Sequence, residues 1–191
     1  MNANKVRLTG TITAKTKPRR NEEVKYGVTT NENPSYCAGV CAPDGFEIGD
    51  SVRVFGKLSY VRRTEKRSPY MIVRATSIEK IENLEEAENE TTLSGRISSV
   101  GTPKRLGNGK VRRPFMIDYG SGASIPCLAT GEAAKKICKN MNLTVRGSLK
   151  SRTVPDWEFG MRELHEVSIR RWKRTDDGRA ETEKAGNEKP A

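Results

Sequence analysis

The fold of this chain is decided by a hexapeptide that occurs twice, as Leu8-Thr9-Gly10-Thr11-Ile12-Thr13 and, 85 residues later, as Leu93-Ser94-Gly95-Arg96-Ile97-Ser98. Each copy alternates polar residues with apolar residues or glycine, which is the period-two pattern of a half-buried β-strand. In the first copy, the alternation predicts an inward face made of Val6, Leu8, Gly10 and Ile12. It predicts an outward face made of Arg7, Thr9, Thr11 and Thr13. The interior glycine favours a sharply coiled strand, as a small barrel needs.

The repeat continues beyond this hexapeptide. Pro18-Arg19-Arg20 matches Pro103-Lys104-Arg105 at the same offset, whereas Val52–Leu58 matches Leu143–Leu149 at an offset of 91. The change from 85 to 91 confines the insertions to the middle of the repeat. One insertion, Leu106 to Lys110, contains Gly107-Asn108-Gly109 and predicts a hairpin tip. The other, Thr130 to Met141, is rich in helix formers and predicts a short helix where the first repeat has the shorter stretch Pro43 to Asp50.

Further strands are predicted by short runs of β-forming residues. In the first repeat they are Val24 to Val28, Tyr36 to Val40 and Met71 to Ile78; in the second they are Phe115 to Tyr119, Ser124 to Leu128 and Met161 to Ile169. The alternation of the opening strand recurs at Val52–Leu58 and its match Leu143–Leu149, which gives five predicted strands per repeat. Five strands and a short helix before the fourth, in about 80 residues, are typical of an OB-fold. We therefore expect an all-β protein of two tandem five-stranded OB-fold barrels, with one short helix per repeat. The expected domains are 4–81 and 91–174, with an acidic linker at 82–90 and a disordered charged tail at 175–191.

The charge of the chain points to a polyanionic partner. The net charge is +11, and it divides into +7 for residues 5–81, −5 for 82–90, +11 for 91–174 and −2 for the tail. Both predicted domains are therefore basic, and each is expected to attract nucleic acid.

The basic residues are concentrated in the loops that an OB-fold uses to hold a strand, the first hairpin and the loop before the last strand. In the first repeat these loops contain Lys15, Lys17, Arg19, Arg20, Lys25, Arg62, Arg63, Lys66 and Arg67. In the second repeat they contain Lys104, Arg105, Lys110, Arg112, Arg113, Lys150 and Arg152. The alternative interpretation is that these side chains form an ordinary solvated surface.

Aromatic side chains near these loops are candidates for stacking on bases. They are Tyr60 and Tyr70 in the first repeat, Trp157 and Phe159 in the second, and Phe55, whose strand parity directs it away from the barrel interior. Tyr26, Phe115 and Tyr119 share the parity of core residues and are expected to pack inside. Trp172, which lies among basic residues, either anchors the tail or contacts nucleic acid.

Catalysis and cofactor binding are not supported by any motif. The one histidine, His165, is predicted within a strand without a local partner, so we expect no enzyme activity. The spacing of Cys37, Cys41, Cys127 and Cys138 does not form paired zinc ligands, and we expect these cysteines to be reduced core residues. No phosphate-binding loop occurs, and no cofactor is expected. No apolar run approaches membrane-spanning length, which predicts a cytoplasmic protein without a membrane partner.

Three segments resemble a known family. Asn4–Ile12 resembles the opening strand of bacterial single-stranded DNA-binding proteins and of the primosomal replication protein PriB, Gly49–Leu58 resembles their fourth strand, and Ala75–Ile81 their last. The resemblance implies sequence-independent binding of single-stranded DNA in replication, repair or replication restart, with proteins of those processes as partners. It also implies two or four barrels per assembly, which a monomer or a homodimer of this chain supplies.

Two other functions remain open on the residues alone. Every physical feature above also suits an RNA-binding or translation-related OB protein. A third hypothesis is a protein adaptor whose charge serves solubility. The chain also ends Asn187–Ala191, without the acidic Pro-Phe tip of the resembling family.

Overall fold

The computed structural model describes residues 3–16, 23–30, 37–61, 70–82, 88–120, 124–156, 160–175 and 183–184, and these are mostly β-structure. The elements are β1 (Asn4–Lys15), β2 (Val24–Thr30), β3 (Cys37–Ala42), β4 (Ser51–Val61), β5 (Tyr70–Lys80), β6 (Asn89–Val100), β7 (Lys104–Arg105), β8 (Val111–Asp118), β9 (Ser124–Thr130), α1 (Glu132–Lys136), β10 (Asn142–Asp156), β11 (Gly160–Arg174) and β12 (Glu183–Lys184).

The first five strands close a barrel, here called the first barrel. Strand β1 pairs antiparallel with β2 and β4, β2 pairs antiparallel with β3, and β4 with β5. The circuit is closed by β3 and β5, which run parallel at Val40–Val73. The predicted inward residues Val6, Leu8, Gly10 and Ile12 are all buried.

The later strands pair in the same order and are here called the second strand set. Strand β6 pairs antiparallel with β8 and β10, β8 pairs antiparallel with β9, and β9 runs parallel to β11 at Cys127–Val167. Strand β11 lies beside β10, and the short strand β12 pairs with β11. Helix α1 buries Ala133 and Ala134 against this set, as the helix-forming insertion predicted.

The repeated glycines lie where two strands approach too closely for a side chain. A Cβ on Gly10 would overlap the Thr29 carbonyl oxygen, and one on Gly95 would overlap that of Asp118. Each of these strands also has a bulge shortly after its glycine, between Ile12 and Ala14 in β1 and between Ile97 and Ser99 in β6. The coiling expected from the interior glycines is therefore present in both strands.

The helix expected in the first repeat is absent, and that part of the prediction was wrong. Residues 43–50 form bends and a turn. Gly45 and Gly49 have φ of 141° and 98°, which a right-handed helix excludes. Phe46 packs edge-to-face on Tyr26 with ring centroids 6.0 Å apart, and this contact holds the segment in its non-helical path.

Two single residues also differ from their predicted positions. Thr9 was expected on an outward face but is 1% exposed, because its backbone N–H donates to the Glu88 carbonyl at 2.9 Å and its Oγ1 accepts from Glu88 N at 2.6 Å. Tyr119 lies after the last residue of β8, and it is half-buried instead of packed in a core.

The chain forms two compact units. One consists of Lys5–Glu90 and Leu149–His165, and the other of Met1–Asn4, Thr91–Ser148 and Glu166–Ala191. Among the described residues, no helix has the length and apolar character that a membrane crossing requires.

Candidate nucleic-acid interface

The hairpin formed by β7 and β8, here called the basic hairpin, gathers most of the second repeat's predicted binding residues. Lys104 lies opposite Arg112, and Arg105 opposite Val111. The tip closes through the Leu106 N–H, which donates to the Lys110 carbonyl at 2.8 Å. Gly109 takes a positive φ of 75°, as the Gly-Asn-Gly tip predicted. Lys104, Arg105 and Lys110 are exposed, so this hairpin presents several cations on a short ordered scaffold.

Arg113 has a different setting from its neighbours. It is half-buried, and its guanidinium donates to the Ile137 carbonyl at 3.0 Å, just after α1. Arg113 Nε is buried and has no hydrogen-bond partner among the described residues. This arginine therefore ties β8 to the end of α1, and it is less exposed to a ligand than Lys104, Arg105 and Lys110.

The equivalent hairpin of the first barrel is only partly described. Its base closes between Thr16 and Lys25, with the Thr16 N–H donating to the Lys25 carbonyl at 2.9 Å. Lys25 is exposed on β2. Lys17, Arg19 and Arg20 lie outside the described residues.

Lys15 does not join this predicted set of ligand-binding cations. Its Nζ lies 2.9 Å from Asp44 Oδ1 and 2.8 Å from Glu47 Oε1. Hydrogen bonds to Glu47 and Asp44 raise the pKa of Lys15 well above its ordinary value. The reciprocal bond from Lys15, with a second from the Gly45 N–H, lowers the pKa of Asp44. The residues between 43 and 50 thus form an acidic loop, fixed to β1 by an ion pair, that sequence reasoning missed. The sequence signal for this loop was a short run that contains three carboxylates, Asp44, Glu47 and Asp50, and no basic residue.

The candidate stacking residues are brought together only in part. Phe55 is half-buried on β4, and the Arg7 guanidinium lies 5.7 Å from its ring centroid on the paired strand. This arrangement confirms that Phe55 points away from the barrel interior. Tyr60 is half-buried near the end of the same strand. Tyr70 begins β5 and Arg152 lies in β10, but their side chains are outside the described residues.

The remaining predicted site residues lie almost entirely outside the described residues. Lys150 is exposed on β10. The predicted site residues outside the described ranges are Arg62, Arg63, Lys66, Arg67, Trp157 and Phe159. Trp172, left undecided by the sequence, is half-buried on β11, where its backbone pairs with Glu183 of the tail strand β12.

Three of the cysteines and the histidine are described with their side chains, whereas the side chain of Cys37 lies outside the described part of the structure. No group of three or more potential metal ligands occurs in the described ranges. Cys41 and Cys127 are buried as expected, but Cys138 is exposed after α1, so its assignment to the core was wrong. The reason is the short helix, which ends at Lys136 and buries Ile137 instead. His165 is half-buried within β11, as predicted.

Comparisons with known proteins identify the fold. No protein-family model matches the chain, and no curated protein does so by sequence. The structure is similar to that of the wild-type single-stranded DNA-binding protein from Thermus aquaticus, with a TM-score of 0.73 and 20% identity over 94% of this chain and 96% of that chain. A deletion mutant of the same protein gives a TM-score of 0.71 and 19% identity over 91% and 95% of the two chains. At these identities the similarity shows the fold, an OB-type β-barrel of the kind the sequence predicted.

Proposed function

We propose that this protein binds single-stranded DNA, largely without sequence preference, in DNA replication, repair or replication restart. The observation that carries the proposal is the basic hairpin, whose exposed Lys104, Arg105 and Lys110 project from an OB-type framework. Hairpins in this position hold single strands in OB-folds. Clustered cations bind the phosphate backbone irrespective of base sequence.

The proposal includes two tandem OB-folds in one chain, at 4–81 and 91–174, joined by the acidic linker at 82–90 and followed by a charged tail at 175–191. The support is the strand pairing of the second strand set, which repeats the order of the first barrel with β6, β8, β9, β10 and β11 in place of β1 to β5. The glycine contacts of β1 and β6 agree with this equivalence. Two such folds in one chain resemble the dimeric arrangement of PriB.

The proposed contacts are those of the two hairpins and the loops before the last strands. Phosphates are bound by the cations of these loops, and bases stack on Phe55, Tyr60, Tyr70, Trp157 and Phe159. We assign the larger share of binding to the second repeat, because Lys104, Arg105 and Lys110 are exposed on the basic hairpin. In the first repeat, Lys15 is instead paired with two carboxylates of the acidic loop.

The test is a titration of labelled single-stranded and duplex DNA, and of RNA of matched sequence, at two salt concentrations. Single-stranded DNA should bind most tightly, with an affinity that falls steeply as salt rises. Equal, weak binding to single-stranded and duplex DNA would contradict the proposal, and preference for RNA would move the function to RNA metabolism.

A further inference from the structure

Trp172 lies on the outer face of the second strand set, close to the end of β11. Val167 and Ile169 of this strand are buried, and Trp172 has the opposite parity, so its side chain points away from the core. The tryptophan is half-buried and is not part of the buried core. A large aromatic side chain on an outer face calls for a role other than core packing.

Strand β10 supplies the neighbours of Trp172 on this face. The two strands are adjacent, and the Thr175 N–H donates to the Asn142 carbonyl at 2.9 Å, so the end of β11 lies beside the start of β10. On β10, Thr144 is half-buried and Arg146 is exposed, whereas the residues that alternate with them are buried. Thr144 and Arg146 therefore share the outer face with the tryptophan.

A cleft of about 140 Å³ opens beside the indole ring. It is lined by Thr144, Arg146, Arg171, Trp172 and Lys173. A space of about 150 Å³ accommodates one benzene ring, so this cleft has the size for a single flat ring against the tryptophan. Three of the lining residues are cations and none is a carboxylate, so the cleft favours an anionic ligand.

The basic surface continues beyond this cleft. Arg170 and Arg174 lie two positions to either side of Trp172, and both are exposed. Arg174 also lines a second cleft, of about 450 Å³, together with Lys136 and Lys139, and none of the residues lining that cleft is a carboxylate. Cations thus occur on both sides of the tryptophan, where the phosphates that flank a stacked base require them.

The tail strand β12 does not itself cover the indole. Its pairing with β11 at Trp172 and Arg171 is made by backbone groups. Backbone pairing lies in the plane of a sheet, whereas side chains project from its faces. The pairing therefore leaves the outer face of Trp172 to another partner.

We propose that Trp172 stacks on a base of the single strand, while Arg146, Arg171 and Lys173 bind the adjoining phosphates. This inference rests on the proposed function and adds to it a contact on a strand face, outside the loops that carry the other proposed contacts. Stacking on an indole ring accepts any base, which agrees with binding that is largely independent of sequence.

The first test reads the tryptophan directly. The chain has two tryptophans, so Trp157→Phe leaves Trp172 as the sole source of indole emission. This chain is titrated with an unlabelled thymine oligonucleotide. Stacking on a base quenches an indole, so the emission should fall in step with binding and level off when the protein is saturated.

The second test removes the ring from the otherwise unmodified chain. Trp172→Leu should bind a labelled thymine oligonucleotide about tenfold more weakly, which is at the low end of what one stacked base contributes. Trp172→Phe keeps a ring and should retain most of the affinity. The emission measurement needs no change at Trp172, so it decides the inference even if Trp172→Leu folds poorly.

The third test concerns the phosphates. Arg171→Ala with Lys173→Ala should lower the slope of affinity against salt by about 1.4, the value for two phosphate contacts on a single strand. Lys5→Ala with Lys57→Ala is the matched control, because it removes the same charge from exposed positions of β1 and β4. The control should leave the slope unchanged.

Several results overturn the inference and leave the proposed function standing. They are unquenched emission at saturation, a slope that falls equally in the control, and full affinity in Trp172→Leu. If that full affinity accompanies faster amide exchange at 183–184, Trp172 holds the tail, and if it accompanies a lower mass of the assembly, Trp172 joins two copies of this chain. Failure of the unmodified chain to bind single strands would instead overturn the proposed function, before any variant is made.

Discussion

The connections between the third and fourth strands differ sharply in the two halves of the chain. From β3 to β4, residues 43–50 form the acidic loop, and Lys15 holds two of its carboxylates. From β9 to β10, residues 131–141 contain α1, with Lys135, Lys136 and Lys139 exposed and Ala133 and Ala134 buried. The first connection is therefore a loop held by ion pairs, and the second contains a small helix with a packed apolar side.

The strands on either side of these connections follow the same pairing order in both halves. The glycines of β1 and β6 also meet equivalent carbonyl oxygens. The arrangement of the strands thus depends on close contacts that both halves share, whereas the connections differ in structure and in charge. A polyanion approaching the first connection meets carboxylates, and one approaching the second meets Lys136 and Lys139 beside the Glu132–Lys135 ion pair.

The largest expected effect tests whether the close strand contacts at Gly10 and Gly95 are equally important for stability. Gly10→Ala and Gly95→Ala each force a Cβ against a backbone carbonyl that cannot rotate away. Each should lower the free energy of unfolding by about 3 kcal/mol, as for overpacked core sites. Urea denaturation followed by circular dichroism measures the change.

Gly107→Ala is the control for both glycine variants, since a Cβ there has no neighbour within 4 Å. It should shift stability by no more than about 0.5 kcal/mol. A loss of stability in Gly10→Ala without one in Gly95→Ala would show that the first barrel and the second strand set are not equivalent.

The next effect concerns the unequal share of binding between the halves. Lys104→Glu, Arg105→Glu and Lys110→Glu in one chain, and Arg19→Glu, Arg20→Glu and Lys25→Glu in another, change the net charge by the same amount. The first triple variant should lose about 100-fold in affinity for single-stranded DNA, because each cation that contacts phosphate contributes counterion release. The second should lose only about tenfold, because we assign the smaller share of binding to the first repeat. The salt slope of the first should fall by about 2. Equal losses would show that the halves share binding evenly.

Much of the strand framework could be predicted because it follows local rules. The alternation at Val6, Leu8 and Ile12 identified the buried face of β1, and the glycine repeat identified the coiled strands. The helix expected at residues 43–50 could not be corrected from local sequence. Its absence depends on the Phe46 contact with Tyr26 and on ion pairs to Lys15, a residue roughly 30 positions away.

The candidate site was predictable as a distribution of charge and less so as a set of contacts. The pattern indicated the basic hairpin, and the structure assembles it around the Gly109 turn. The same pattern could not separate Lys104, which is exposed, from Lys15, which is neutralised by carboxylates, or from Arg113, which bonds to Ile137. These differences arise from partners that are distant in sequence, and a local sequence pattern does not identify such partners.

A smaller effect tests the ion pairs of the acidic loop through their pH dependence. The pKa of Asp44 is lowered by Lys15 and the Gly45 N–H, and that of Asp50 by the Glu47 N–H and Lys80. A lowered pKa in the folded state contributes stability above the ordinary value of 3.8, which is lost as pH falls through the folded pKa. Amide protection factors at 43–50 should therefore fall below about pH 3.8, before those of the buried strands change.

Lys15→Met should reproduce this release at neutral pH, because it removes the cation and leaves the carboxylates in place. Protection of α1 should be unaffected by the variant. If the acidic loop stays protected in Lys15→Met, the ion pair does not fix it. The difference between the acidic loop and the connection that contains α1 would then not depend on the Lys15 ion pairs.

The last prediction compares the Cys138 thiol, in the connection that contains α1, with the buried thiols of the strands. Chains that retain one cysteine each, Cys41, Cys127 or Cys138, isolate the three described thiols. Burial raises the pKa of Cys41 and Cys127, so these thiols are both shielded and poorly ionised at neutral pH. A thiol reagent should label Cys138 at once and the buried pair roughly a thousandfold more slowly, through opening of the native state. Fast labelling of Cys41 alone would show that the first barrel opens more readily than the second strand set, because in both cases the reagent reaches sulfur only when strands separate.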